Sequence, residues 1–204
     1  MGEVAGIMPE TRRGNLCRGK KGKKLLDMLR PNLRCDRVWD IDLELLRARG
    51  IRGLIIDLDN TLVDWNAWEV RHEVKRWAEN AGRQGIARCI ASNARNRERI
   101  RSVAEQVGAQ WVANANKPGI GSYRRAMQLM GTAPQETAVI GDQVFTDVLA
   151  GNRLGLFTIW VRALSPVEFP GTKIARLLER LLRRWLHAKG WADKLPSSPS
   201  MGEE

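Results

Sequence analysis

The sequence predicts an α/β fold in which a parallel central sheet of five strands, or slightly more, lies between two layers of helices. Two observations predict this class. Short apolar runs alternate along the chain with segments whose apolar residues recur at helical spacing. Most of these runs also end in polar residues, as strands do when a ligand crevice lies at the carboxyl edge of a parallel sheet.

The stretch that best defines this sheet is LIIDLDNTLV, residues 54 to 63. Its apolar run predicts a buried strand, and Asp57 and Asp59 follow at its end. Because strand residues alternate between faces, the two carboxylates should emerge near one another where the strand becomes a loop. Two adjacent carboxylates need a cation or a shared proton, and in a phosphate site the cation is commonly Mg²⁺. Asp57 is then a candidate nucleophile, and Asp59 a candidate acid–base group.

Further strands are expected over 86–91, 111–113, 137–140 and 156–161. Ser92 and Asn93 follow the first of these, ahead of a helix that should open near Asn96. Their side chains and the free N–H groups of the helix start could bind a phosphate oxygen. A simple helix cap explains the same pair, and both interpretations stay open on these residues alone.

The next two strands also end in charged residues. Lys117 stands before Pro118, where its ammonium could stabilise charge on a phosphoryl group in transfer. The segment GDQVFTD, residues 141 to 147, carries Asp142 and Asp147. We expect Asp142 to be a second protein carboxylate on the metal. We expect Asp147 to lie outside the direct metal ligands and to hold a metal-bound water or Lys117 in place.

Taken together, these residues resemble the motifs of the haloacid dehalogenase-like (HAD) phosphatases. The first motif, D-x-D-x-T, is matched by Asp57, Asp59 and Thr61. The second to fourth motifs are matched in order at Ser92, Lys117 and Asp142. The resemblance spans roughly residues 29 to 186. It is strongest to the small cap-less subclass IIIA of the YqeG type, which is similar to the mitochondrial phosphatidylglycerophosphate phosphatases.

The resemblance implies a HAD-like Rossmannoid three-layer sandwich and a Mg²⁺-dependent phosphomonoesterase that works through an aspartyl-phosphate. It implies that the metal is held by Asp57, Asp142 and the backbone carbonyl of Asp59. It also implies a lipid substrate, phosphatidylglycerophosphate. The residues expected at the substrate phosphate are Asn60, Thr61, Ser92, Asn93 and Lys117.

Short connections leave no room for a cap domain over the site. A few residues separate Val63 from a helix expected to begin at Asn66, and 93–117 are filled by one helix and one strand. An open site excludes water poorly unless the substrate or a partner covers it, so a large or surface-bound phosphate is favoured. Trp65 and Trp68 near the entrance could touch substrate, although packing is the more common role of such residues.

Composition points to an anionic partner. The chain has 204 residues, a formal net charge of +11 and a pI near 10.3, which favours nucleic acid, an acidic membrane surface or a phosphorylated substrate. Three cysteines without metal-ligand spacing predict no disulfide framework. With neither an apolar membrane span nor a signal peptide, a cytoplasmic location is expected, and peripheral contact with the inner face of the membrane stays open.

The chain is expected to form one domain with two tails. Residues 1–22 predict a disordered basic arm, either an electrostatic tether or a solubilising tail. Residues 23–190 form the hydrolase domain and end in an amphipathic basic helix at about 172–189. That helix could lie in an anionic bilayer interface or pack on the domain or another subunit, with packing slightly favoured. Residues 191–204 predict a disordered tail.

Three other functions fit part of the pattern. A phosphatase acting on nucleic-acid ends, a phosphoprotein or a soluble phosphate ester would keep the same site. A non-enzymatic basic protein that binds nucleic acid or membrane could use the same fold, although no catalytic position is missing. A response-regulator receiver also uses a phosphorylated Asp together with a Thr and a Lys, but its acceptor lies mid-chain and its acid pair lacks the D-x-D spacing of Asp57 and Asp59.

Overall fold

The computed structural model describes residues 27–165, and within this range one six-stranded parallel sheet forms the centre of the molecule. The strand order is β1-β6-β5-β2-β3-β4. The strands are β1 (Leu33–Cys35), β2 (Gly53–Ile56), β3 (Ala87–Ala91), β4 (Gln110–Val112), β5 (Thr137–Gly141) and β6 (Phe157–Val161). The predicted parallel α/β class is confirmed, and β1 adds a sixth strand at one edge.

Helices cover both faces of this sheet, which gives three layers. They are α1 (Leu43–Ala48), α2 (His72–Arg83), α3 (Arg97–Gln106), α4 (Gly121–Met130) and α5 (Leu149–Leu154). Helices α1, α2 and α3 pack with Leu54 and Ile56 on one face, whereas α4 and α5 pack with Ile55 on the other. This division follows from the alternation of side chains along β2.

Strand β2 is completely buried between β3 and β5. Its last residue, Ile56, lies opposite Ile90 of β3 and Ile140 of β5. Because all three strands run in the same direction, the residues that follow them emerge at one edge of the sheet. Asp57, Ser92 and Asp142 are therefore brought together by strand register alone.

The expected helix start at Asn66 is wrong, since α2 begins at His72. Asn66 instead adopts a positive φ of 59°, and its N–H donates to the Asp59 carboxylate at 3.0 Å. Residues 64–71 form a loop closed by an ion pair of 2.8 Å between Arg71 and Asp64. The loop is longer than expected but contains no added domain, so the cap-less prediction holds for the described residues.

Several expectations concern residues outside the described range. These are the basic arm at 1–22, the amphipathic helix at 172–189 and the tail at 191–204. In the part of the chain that the structure does describe, no helix combines the length and the apolar character needed to cross a bilayer. Cys35 and Cys89 are both buried thiols.

Candidate active site

The carboxyl edge of the sheet opens into a cavity of about 590 Å³. Six of the predicted site residues line it, which means that strand register brings distant segments of the chain to one place. They are Asp57, Asp59, Asn60, Ser92, Asn93 and Lys117. Trp65, Asn66, Ala94, Arg95, Asn96, Arg99, Gln143 and Thr146 complete the lining. Thr61 is buried behind this surface and does not line the cavity.

Three buried carboxylates meet where Asp57 lines the cavity, and the other two, Asp142 and Asp147, lie outside its lining. Asp57, Asp142 and Asp147 each offer an oxygen, and these oxygens lie within 4.8 Å of one another. Gly141 makes room for the group, because a Cβ at this position would lie 2.3 Å from the Asp147 carboxyl carbon. Carboxylate oxygens are the ligands that hard divalent cations prefer, so the trio could hold a metal ion.

Lys117 is the cation that the fold places against this trio. Its ammonium forms an ion pair with Oδ1 of Asp57 and a second, at 2.8 Å, with Oδ1 of Asp147. Both contacts are buried, so they are screened little by solvent. One ammonium against three carboxylates leaves a negative balance that a divalent cation would offset.

The pKa values of these groups follow from burial and from their neighbours. Burial raises the pKa of Asp57 from 3.8 to about 7, with Lys117 opposing the rise and Asp147 adding to it. Burial alone would lower the pKa of Lys117, but Asp147 and Asp57 outweigh it and hold that pKa well above the usual value. Lys117 therefore stays charged, and Asp57 is the group that exchanges a proton near neutrality.

Tyr123 is a site residue that the sequence analysis did not identify. It lies on α4 and is completely buried, and its hydroxyl donates to Oδ1 of Asp147 at 3.0 Å. Burial raises the pKa of the Tyr123 hydroxyl well above its usual value, so it remains a donor. Asp147 thus receives hydrogen bonds from both Tyr123 and Lys117. Its oxygen also lies close enough to the other two acids to bind a metal directly.

Ser92 and Asn93 are both at the end of β3 but make different contacts. Ser92 is buried, and its hydroxyl accepts from the N–H of Ala94 at 3.0 Å. Asn93 binds the backbone of Lys117: its Oδ1 accepts from the Lys117 N–H at 2.9 Å, and its Nδ2 donates to the Lys117 carbonyl at 3.4 Å. Asn93 therefore fixes the segment that carries the ammonium, in addition to lining the cavity.

Asn60 and Thr61 shape the turn after the two acids. Asn60 has a φ of 61°, a left-handed conformation that Asn tolerates better than most residues. Its N–H donates to the Val63 carbonyl at 2.7 Å, which closes the turn. The Thr61 hydroxyl is buried and has no hydrogen-bond partner among the described residues.

Arg99 is the second residue that the sequence analysis missed. Its side chain is 3% exposed, and its two terminal nitrogens contact the two carboxylate oxygens of Asp59 at 2.9 and 2.7 Å. A signal for it exists in the sequence: Arg99 precedes Val103 by four residues on α3, so it lies on the apolar face of that helix. A charged residue at such a position needs a buried partner.

Comparison with known proteins agrees with this fold. Residues 114–163 match the model of the HAD-hydrolase-like family. The class that the six-stranded parallel sheet and the acidic carboxyl edge define is therefore the HAD phosphatases, which are phosphoric monoester hydrolases.

Similarity to one relative identifies the family within the HAD phosphatases. The chain is 35% identical over 153 residues to the probable phosphatase YqeG of Bacillus subtilis, an alignment that covers 75% of this chain and 88% of that protein. The chain belongs to the YqeG family of cap-less HAD phosphatases.

Two further proteins show more distant similarity. Phosphatidylglycerophosphate phosphatase 1 of Arabidopsis thaliana, a chloroplastic and mitochondrial protein, is 27% identical over 164 residues. That match covers 72% of this chain and 45% of the plant protein, so the chain spans less than half of this relative. The cobalt-bound deoxy-D-mannose-octulosonate 8-phosphate phosphatase of Haemophilus influenzae has a TM-score of 0.46 at 17% identity, over 71% of this chain and 92% of that one.

Proposed function

We propose that this phosphatase is Mg²⁺-dependent, forms an aspartyl-phosphate on Asp57 and hydrolyses phosphatidylglycerophosphate to phosphatidylglycerol. The single observation that carries the mechanism is the placement of Asp57. It lies buried at the end of the central strand, in contact with Lys117 and within 4.8 Å of two further carboxylates. A carboxylate in this position can attack phosphorus once the surrounding negative charge is offset.

In the first half of the reaction, an Asp57 oxygen bonds to phosphorus while the bond from phosphorus to the leaving oxygen breaks. Asp59 donates a proton to that oxygen. In the second half, a water oxygen bonds to phosphorus, the acyl phosphate bond breaks, and the water proton passes to Asp59. Lys117 stabilises charge on the phosphoryl oxygens, and Ser92 hydrogen-bonds to them.

The donor set fits Mg²⁺, an oxygen-seeking cation that usually keeps several waters. Asp57, Asp142 and the backbone carbonyl of Asp59 would hold the ion, and Asp147 is close enough to join them. When bound, Mg²⁺ offsets the repulsion between the Asp57 carboxylate and the phosphate dianion.

Three features support a lipid substrate for this chain. The Arabidopsis relative is named as a phosphatidylglycerophosphate phosphatase. The cavity has no cap over it in the described residues, so a phosphate that projects from a membrane surface can reach it. The net charge of +11 favours approach to an anionic bilayer. This function would keep the protein in the cytoplasm, in peripheral contact with the inner face of the membrane.

The test is phosphate release from phosphatidylglycerophosphate in mixed micelles, measured with and without Mg²⁺ beside a panel of soluble esters, phosphopeptides and 5′- and 3′-phosphorylated oligonucleotides. We expect Mg²⁺-dependent release, with the highest kcat/KM on the lipid. Equal or better turnover of an oligonucleotide, peptide or soluble ester would overturn the lipid assignment while leaving the phosphatase mechanism intact.

A further inference from the structure

Arg99 forms a bidentate ion pair with the carboxylate of Asp59. The contacts Nη1 to Oδ1 and Nη2 to Oδ2 are 2.9 and 2.7 Å long, and they run between a buried guanidinium and a carboxylate that is 29% exposed to the cavity. A two-point contact of this kind fixes both the position and the plane of a carboxylate, which a single hydrogen bond does not.

The guanidinium is itself fixed by the surrounding backbone. Its Nη1 also donates to the Ala67 carbonyl at 3.1 Å, while the Arg99 N–H donates to the side chain of Asn96 at the start of α3. The N–H of Asn66 adds a third donor to Asp59. Helix α3, the loop over 64–71 and Asp59 are thereby joined through one side chain.

Building on the function proposed above, in which Asp59 transfers protons, we propose that Arg99 is a positioning residue for the reaction and aims the Asp59 carboxylate at the leaving oxygen. Asp59 lines the cavity from the turn that follows β2, where the backbone alone does not fix the direction of the side chain. Arg99 replaces that freedom with one orientation. It acts through Asp59, and its low exposure keeps it from being a main contact of the substrate.

The positioning role of Arg99 can be tested by comparing substrates whose leaving groups differ in their need for a proton. An alkyl oxygen, as in glycerol phosphate, must be protonated as it departs, whereas p-nitrophenolate leaves without a proton. The ratio kcat/KM reports the steps through departure of the leaving group, so it isolates this proton transfer from the later hydrolysis of the phosphoenzyme. A loss of Asp59 orientation should therefore lower kcat/KM for the alkyl ester and spare the aryl ester.

The experiment compares Arg99→Gln with the parent, as full-length chains with Mg²⁺, on glycerol phosphate and on p-nitrophenyl phosphate. General acid catalysis contributes about 10² to 10⁴ in rate, and we expect the variant to lose about 10- to 100-fold of that on the alkyl ester. On the aryl ester the expected change is less than about threefold. Equal losses on both esters would assign Arg99 to phosphate binding or to folding and overturn the proposal, as would an unchanged alkyl rate.

A double-mutant cycle tests whether Arg99 acts through Asp59. Adding Arg99→Gln to Asp59→Asn should lower the alkyl rate little further, because the positioned group is already gone. Additive losses would contradict the proposal. If Asp59→Asn alone leaves the alkyl rate unchanged, the acid–base assignment of the proposed function fails, and the role of Arg99 fails with it. A different pair of results would reject only the role of Arg99. In that case Asp59→Asn loses activity on the alkyl ester, while Arg99→Gln loses activity equally on both esters.

Two further variants control for charge and for folding. Arg101→Gln removes an exposed arginine from the same helix, where it pairs with Glu105, and should leave both rates unchanged. Arg99→Lys keeps a buried positive charge but offers no planar fork. Its kcat/KM should fall less than that of Arg99→Gln, and only on the alkyl ester. If Arg99→Gln does not fold, this variant tests whether Arg99 positions Asp59. Equal losses on both esters in Arg99→Lys would overturn the proposal.

Discussion

The protonation of Asp57 couples the stability of the protein to pH and to metal. In the folded chain the pKa of Asp57 lies at about 7, above its ordinary value of 3.8, because the carboxyl is buried. A raised pKa means that the folded state favours the protonated form. The stabilising contribution is complete below about pH 4 and is lost as pH rises through about 7 in metal-free protein.

A divalent cation must displace this proton, so its effect should grow with pH. We expect Mg²⁺ to raise the melting temperature more at about pH 8 than at about pH 5.5, measured by thermal unfolding with and without the ion. In Asp57→Asn the difference between the two pH values should shrink. An equal Mg²⁺ shift at both pH values in the parent protein would contradict the account.

The Lys117 ammonium offsets part of the negative charge of the buried acids Asp57 and Asp147. Replacing it by Met leaves Asp57 and Asp147 without their shared ammonium, and breaking a buried pair in this way typically costs about 3 to 5 kcal/mol. We therefore expect Lys117→Met to lose about 3 kcal/mol of unfolding free energy in metal-free urea titrations near neutral pH, and to lose activity. As a control, Arg101→Met breaks an exposed pair that solvent screens, and it should leave the free energy of unfolding nearly unchanged. A Lys117→Met protein as stable as this control would refute the buried-pair argument.

At the scale of elements, Gly141 ends β5 and sets the space available to Asp147. A Cβ there would lie 2.3 Å from the Asp147 carboxyl carbon, so Gly141→Ala must displace that carboxylate from the acid trio. Changes to groups that support a metal site cost about 10- to 100-fold in affinity or activity, and we expect a loss of phosphate release in that range. Gly121→Ala is the matched control, because its added Cβ meets open space at the start of α4. Parent-like activity in Gly141→Ala would show that the position of Asp147 is not needed.

The elements also show what periodicity can predict. The five predicted strands were found because each contains an uninterrupted apolar run, and such a run with polar residues after it is a clear pattern. Strand β1 was missed because Arg34 separates its two apolar residues, so the segment contains no apolar run. The start of α2 was misplaced because Asn66 and Glu69 have the spacing of a capping pair. In the fold, Asn66 has a positive φ instead, and its N–H donates to the Asp59 carboxylate.

At the scale of the whole molecule, the meeting of the main site residues could be predicted and their partners could not. Parallel strands end at one edge, so Asp57, Ser92 and Asp142 had to converge once the strands were assigned. Arg99 and Tyr123 lie on helices packed against opposite faces of the sheet. Whether such a side chain reaches the site depends on helix placement, which local sequence does not determine.

The central claim is that Asp57 is the nucleophile of the site. Its most direct test is the rate of Mg²⁺-dependent phosphate release by Asp57→Asn. The nucleophile is absent from this variant while the remaining groups stay in place. We expect the rate to fall by at least about 10³-fold, with the circular dichroism spectrum and cooperative unfolding retained. An Asp57→Asn enzyme that releases phosphate at the parent rate would show that Asp57 is not the nucleophile and that the site works by another mechanism.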